Sequence, residues 1–233
     1  MTLQIEIVED PARVCSAMLL SAMLGGGDVV LTGGSTPRAA YEELAGAVRA
    51  VGHDLRDTTL WFSDERCVPP DDELSNYRLV KQSLLDPLAD KPRPAVRRMR
   101  GELGPEEAAE AYERELDEAG EPEFSLVLLG IGPDGHLASM FPDQASLSER
   151  SRLVVGVEES GLEPFVPRVT LTLPALANAQ QVVFLVTGEG KAPAVASAFG
   201  PGAEPDPHVP ASMLVPLARE LTVLLDPAAA GGL

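Results

Sequence analysis

The chain has 233 residues, 45% hydrophobic but only 4% aromatic, and its 36 acidic and 18 basic side chains leave a formal charge of −18. This length suits one α/β domain over residues 1–233, with a core mostly of Ala, Val and Leu, and disfavours a disordered chain. An acidic surface repels DNA, RNA and anionic lipid, and no apolar run reaches the ~18–20 residues of a membrane span, so no nucleic-acid or membrane partner is expected.

Residues Leu3–Val8 alternate and read as a strand, and Pro11–Leu24 has helical periodicity that stops at Gly25-Gly26-Gly27. Asp28–Thr32 is a short buried-type strand, Pro37–Val48 a helix with proline in its first turn, and Thr59–Ser63 a third strand. Leu74–Leu85 is helical and ends before Pro87, and Pro105–Ala119 is an acidic helix. Phe124–Gly130 is a fully apolar strand. Arg152–Val157, Val169–Leu173 and Gln181–Thr187 are further strands, a helix follows near Ala192–Phe199, and Leu221–Leu225 is the last strand. Gly200–Pro210 reads as a surface loop and Ala228–Leu233 as a frayed tail. Strands alternating with helices predict a three-layer, Rossmann-like α/β domain: a mostly parallel central sheet with helices on both faces.

The N-terminus lacks the basic region of a signal peptide. Cys15 and Cys67 are far apart without metal-type spacing, so two free thiols in a reducing, cytoplasmic setting are expected.

The unusual polar segments all follow strands. In a parallel sheet the strand C-termini share one edge, where ligands bind, so these segments are expected to be neighbours. Gly33-Gly34-Ser35-Thr36-Pro37 joins a strand to a helix. Glycines let backbone N–H groups approach a ligand, and the helix start adds partial positive charge, which suits a phosphate. A tight capped turn is the plainer reading of this segment. No Gly-Lys-Ser/Thr follows, so it is not a Walker A loop, and it is not a Gly-x-Ser-x-Gly elbow.

Asp64-Glu65-Arg66 ends the strand containing Trp61 and, taken alone, reads as an exposed loop. Ser75 in Ser75-Asn76-Tyr77 suits a helix cap. Gly130-Ile131-Gly132-Pro133-Asp134-Gly135-His136 places a histidine in a glycine-rich turn, with Asp134 able to orient its ring. Its Gly-x-Gly-x-x-Gly spacing, with Glu158 further on, imitates a dinucleotide fingerprint, but Pro133 and Pro142 argue against that reading. His53 and His208 read as surface residues. Lys191, after Gly188-Glu189-Gly190, can reach a bound anion, and Arg168 is a further cation. No His-x-His, Cys-x-x-Cys or His-Glu-x-x-His is present, so a metal site is not expected.

As an ordered set these segments resemble the 6-phosphogluconolactonase family, within the wider glucosamine-6-phosphate isomerase/6-phosphogluconolactonase superfamily. The resemblance rests on Leu31-Thr32-Gly33-Gly34-Ser35-Thr36-Pro37, Trp61-Phe62-Ser63-Asp64-Glu65-Arg66, Ser75-Asn76-Tyr77, the Gly130–His136 turn and Ala138-Ser139-Met140-Phe141-Pro142. Pro167-Arg168-Val169-Thr170-Leu171-Thr172-Leu173, Lys191 and Pro210-Ala211-Ser212 fit as well. Leu137 and Met140 depart from the Thr and Leu more usual there, without touching a catalytic type. The deaminase branch looks instead like Asp-Glu-Tyr at the second segment and Gly-His-Ile-Ala-Phe-Asn-Glu-Pro at the third, so this chain is more similar to the lactonases.

The resemblance implies hydrolysis of 6-phospho-D-glucono-1,5-lactone to 6-phosphogluconate, the second step of the oxidative pentose phosphate pathway. The expected general base is His136, oriented by Asp134. Gly33, Gly34, Ser35, Thr36, Asp64, Arg66, Arg168 and Lys191 are expected around the phosphate and the carbonyl oxygen. The only expected partner is a phosphorylated sugar lactone, without metal or organic cofactor. The alternatives are a deaminase-like isomerase and a non-catalytic sugar-phosphate sensor.

Overall fold

A computed structural model describes residues 2–233. The chain opens with strand β1 (Thr2–Ile7) and helix α1 (Pro11–Leu24). Asp10 caps α1 by accepting a hydrogen bond from the Arg13 amide, and proline occupies the first turn, where no amide hydrogen is needed. Strand β2 (Asp28–Leu31) leads into α2 (Ser35–Val51), which ends at Gly52 in the left-handed conformation that glycine adopts without strain. Strands β3 (Thr59–Phe62) and β4 (Asp64–Arg66) are followed by α3 (Asn76–Val80) and strand β5 (Ala95–Val96). Helix α4 (Pro105–Glu118) starts with Glu106 and Glu107, whose charges suit the positive helix end. Then come β6 (Phe124–Leu129), β7 (Val154–Val157), β8 (Arg168–Leu171), α5 (Leu173–Ala177) and β9 (Ala179–Val186). Helices α6 (Ala192–Phe199) and α7 (Pro210–Leu214) and strand β10 (Glu220–Leu225) complete the chain.

Seven strands form one sheet in the order β1-β10-β9-β6-β2-β3-β5, and every neighbouring pair is parallel. Successive residues Val29, Val30 and Leu31 are all buried, as are Val127, Leu128 and Leu129, so both faces of the sheet are covered. Helices α1 and α2 pack on each other, and α7 packs against α5 and α6. The expected α/β architecture with a parallel sheet is present. Fully buried Trp61 meets Tyr112 edge-to-face at 5.6 Å, and its indole N–H donates to Asp28 at 2.6 Å.

Four expectations need correction. Strands β7 and β8 do not join the parallel sheet; with β4 they make a separate three-stranded antiparallel sheet, order β4-β8-β7. Asp64-Glu65-Arg66 is therefore a strand and not an exposed loop. The helix expected over Leu74–Leu85 is α3 alone, continued by a wider turn over Lys81–Leu85 that closes with Asp86 N–H to Lys81 C=O at 2.8 Å. The tail is packed: Ala229 is buried, and its amide donates to Asp226 at 2.7 Å.

Candidate active site

The chain leaves β2 toward β3 and leaves β6 toward β9, in opposite directions along the sheet. The loops after these two neighbouring strands therefore diverge, opening a crevice at their carboxyl ends, the usual ligand position in such sheets. A cleft of about 270 Å³ lies there, and all four segments singled out in the sequence contribute to its walls.

The first wall is Gly33–Thr36. Tyr41 of α2 fixes its base: the phenol accepts from the Thr32 amide at 3.0 Å and donates to the Thr32 carbonyl at 2.8 Å. Gly34 has φ +112°, and no side chain caps the start of α2 behind it. The first amides of a 17-residue helix are thus free of a side-chain cap beside the cleft. Thr36 shares a 3.0 Å hydroxyl hydrogen bond with Thr187, tying this wall to the end of β9.

The opposite wall carries His136. Its Nδ1 lies 2.6 Å from Asp134 Oδ1, and its amide donates to the same oxygen at 3.2 Å. Burial raises the Asp134 pKa, but the hydrogen bonds and charge of His136 outweigh it and hold the carboxyl below its ordinary value. An ionised carboxylate only accepts, so Nδ1 carries the proton and Nε2 is left as the basic nitrogen. The turn is closed by Gly132 N–H to His136 C=O at 2.9 Å and Gly135 N–H to Gly132 C=O at 3.0 Å. A side chain at Gly132 would put its Cβ 2.0 Å from His136 Nδ1, so the compact pair requires glycine there.

Asp64 and Arg66 come from β4, and Arg168 from β8. Arg66 and Arg168 are directly paired across the strands, and both line the cleft. Arg168 is only 4% exposed. Its guanidinium donates to the carbonyls of Pro164 at 2.8 Å and Val166 at 3.1 Å and to Ser160 Oγ at 3.2 Å. Burial, then the charge of Arg66, lowers its pKa. Arg66 Nη1 donates to the Leu74 carbonyl at 2.6 Å. Its buried Nε has no partner among the described residues. Lys191 sits in the short turn Glu189–Lys191 after β9 and lines the same cleft. Burial lowers its pKa, partly offset by the charge of Asp134.

The cleft therefore gathers every expected site residue except Asp134, which does not line it and reaches it through the His136 ring. Asp64 differs from the others in its surroundings: it is 5% exposed and accepts from Ser63 Oγ at 3.0 Å, Ser139 Oγ at 2.6 Å and Asn76 Nδ2 at 3.2 Å. Its carboxylate joins β4 to the segment after His136 and to α3. Asn76 and Phe141 also line the cleft and were not expected in it. Phe141 lies 4.7 Å from the His136 ring, and the Arg168 guanidinium carbon sits 5.9 Å from the Phe141 ring centre, so one phenyl separates the two. Asn76 Oδ1 abuts Gly33, where a Cβ would stand 1.8 Å from it. No local pattern marks these two roles; only the fold brings the partners together.

Glu65, also unexpected, points away from the cleft. It is 3% exposed. Burial raises its pKa, against four hydrogen bonds that act to lower it. Among the described residues, no group of three or more His, Cys, Asp or Glu side chains is arranged to hold a metal ion. No described helix is long and apolar enough to cross a membrane.

Comparisons with known proteins point to one family. The family described as glucosamine-6-phosphate isomerases/6-phosphogluconolactonase matches residues 7–223. A 6-phosphogluconolactonase of Homo sapiens is 42% identical over 205 residues, covering 86% of this chain and 78% of that protein. One from Streptomyces coelicolor is 39% identical over 224 residues, covering 91% of this chain and 84% of the relative. The crystal structure of 6-phosphogluconolactonase from Thermotoga maritima superposes with a TM-score of 0.81 at 30% identity, covering 97% of this chain and all of the other.

Proposed function

The chain belongs to the glucosamine-6-phosphate isomerase/6-phosphogluconolactonase family, and from that premise we infer that it hydrolyses 6-phospho-D-glucono-1,5-lactone to 6-phosphogluconate. This is the second step of the oxidative pentose phosphate pathway, and the activity is that of a carboxylic ester hydrolase. The observation that carries the reading is the 2.6 Å His136–Asp134 pair in a cleft that also holds Arg66, Arg168 and Lys191.

In this reading the substrate phosphate lies among the α2 amides and the cations, which sets the lactone carbonyl near His136. His136 Nε2 takes a proton from water as its oxygen bonds to C1. The carbonyl electrons move onto the carbonyl oxygen, and a nearby cation stabilises that charge. When the carbonyl re-forms, the C1–ring-oxygen bond breaks and the imidazolium returns its proton to the departing oxygen. Asp134 keeps the ring in the required tautomer and stabilises the imidazolium. No metal or organic cofactor enters these steps, so turnover is expected to survive chelation. A cytoplasmic location is part of the same proposal and rests on the two unpaired thiols, Cys15 and Cys67.

The test is opening of fresh 6-phosphogluconolactone, coupled to 6-phosphogluconate dehydrogenase, with the spontaneous rate subtracted. His136→Asn is expected to lower kcat by ~10²–10⁴-fold while 6-phosphogluconate still binds. Glucosamine 6-phosphate, followed by ammonia release, is expected to give nothing. Wild-type turnover in His136→Asn removes the base, and sugar-phosphate binding without lactone opening makes the chain a sensor.

A further inference from the structure

Glu65 occupies the middle of β4, between two residues that face the cleft. Strand alternation turns its side chain away from them. It lands on the start of α3. There its two carboxylate oxygens accept four hydrogen bonds: Oε1 from the amides of Arg66 at 2.8 Å and Asn76 at 2.7 Å, and Oε2 from the Tyr77 amide at 2.8 Å and Ser75 Oγ at 3.0 Å. Four is about the full capacity of a carboxylate. The first two amides of α3 are thus satisfied by a residue eleven and twelve positions upstream, and the 67–74 loop is closed at its base. Two further bonds depend on that closure: Arg66 Nη1 to the Leu74 carbonyl, 2.6 Å, and Asn76 Nδ2 to the Asp64 carbonyl, 2.9 Å.

The closure opposes a force. Arg66 and Arg168 face each other across the strand pair, and like charges so placed repel. Glu65 and Asp64 bring negative charge near Arg168. We propose that Glu65 is a positioning residue that holds Arg66 opposite Arg168 before substrate arrives, so that the pair is preformed for the substrate phosphate. This rests on the lactonase reading above and extends it to a side chain that touches no substrate.

The experiment is a kinetic cycle. Glutamine at position 65 presents an NH₂ where two donors already point, so Glu65→Gln breaks half of the clasp while keeping its size. On 6-phosphogluconolactone its KM is expected to rise about tenfold with kcat changed less than about threefold, and on unphosphorylated D-glucono-1,5-lactone neither should move. In an Arg66→Ala background the same change is expected to add less than about twofold. An equal loss on both lactones, full additivity with Arg66→Ala, or wild-type kinetics overturns the proposal. Should Glu65→Gln fail to fold, Ser75→Ala withdraws one of the four bonds; the same KM-only change, about two- to threefold, is expected, and its absence overturns the proposal. Calorimetry with inorganic phosphate separates this failure from failure of the lactonase reading. Even in a chain that opens no lactone, Glu65→Gln must weaken phosphate binding, and undiminished binding sinks the positioning role.

Discussion

Arg66 of β4 and Arg168 of β8 stand directly opposite one another in an antiparallel register, with their side chains at the same cleft. Two cations at adjoining positions raise each other's cost until an anion lies between them. This pairing leads to the first expectation. At 6-phosphogluconate concentrations about 100-fold above Kd, wild-type stability should rise by about 2.7 kcal/mol, a melting shift of roughly 5–10 °C. Arg66→Ala should lose most of that shift at the same concentration. A scanning fluorimetry titration checks it, and an equal shift in the variant argues that the phosphate lies elsewhere.

A single methyl group should disable the base. In Gly132→Ala the new Cβ falls 2.0 Å from His136 Nδ1 and 2.4 Å from Asp134 Oδ1, so the pair must separate. The expected loss in kcat is ~10²–10⁴-fold, close to that of His136→Asn, with product binding kept. Gly46→Ala on α2, whose Cβ meets nothing within 4 Å, serves as the control and should turn over as the parent does.

The same pair sets an acid-dependent contribution to stability. The folded pKa of Asp134 lies below its ordinary value of 3.8, through its bonds to His136 and against the opposing effect of burial. A carboxyl depressed in the folded state stabilises the fold above its unfolded pKa and loses that effect as pH falls through the folded one. Asp134→Asn should therefore be less stable than wild type at neutral pH. The gap should hold down to about 3.8 and close below it. Urea midpoints across that range test this, and a gap that persists in strong acid contradicts it.

Lys191 gives the alkaline counterpart. Burial holds its pKa below 10.5, with Asp134 offsetting part of the effect. The ammonium is lost as pH rises through the lowered value, so 6-phosphogluconate affinity should begin to weaken before 10.5, by about tenfold once the charge is gone. Lys191→Arg stays charged and should bind without that break. Calorimetric Kd values against pH distinguish the two, and parallel curves would take Lys191 out of the phosphate site.

The parallel sheet was legible because strands buried on both faces are continuous apolar runs, as in Val29–Leu31 and Val127–Leu129. The shared edge of those strands, implied by the sequence pattern, places Gly33, His136 and Lys191 together. Strand β4 was not legible. Asp64-Glu65-Arg66 looks like exposed charge, and its burial depends on β8, about a hundred residues later, and on donors from Ser75, Asn76 and Ser139. The antiparallel sheet is hidden for the same reason: β7 and β8 carry apolar residues as any strand does, and nothing local says which sheet they join. Glu65 reads as one of three surface charges, because local sequence cannot show that a carboxylate has four donors waiting.

Arg168 spends most of its donors on the 160–166 segment, through Ser160, Pro164 and Val166. Its replacement is therefore two experiments at once. Arg66→Ala subtracts a charge and one bond to the Leu74 carbonyl, whereas Arg168→Ala unfastens a different stretch of chain, which borders the cleft through Leu162 and Glu163. Faster amide exchange and protease nicking at 160–166 should appear in Arg168→Ala and not in Arg66→Ala. Kinetic losses at Arg168 thus measure the rim and the anion together, and only the exchange data apportion them.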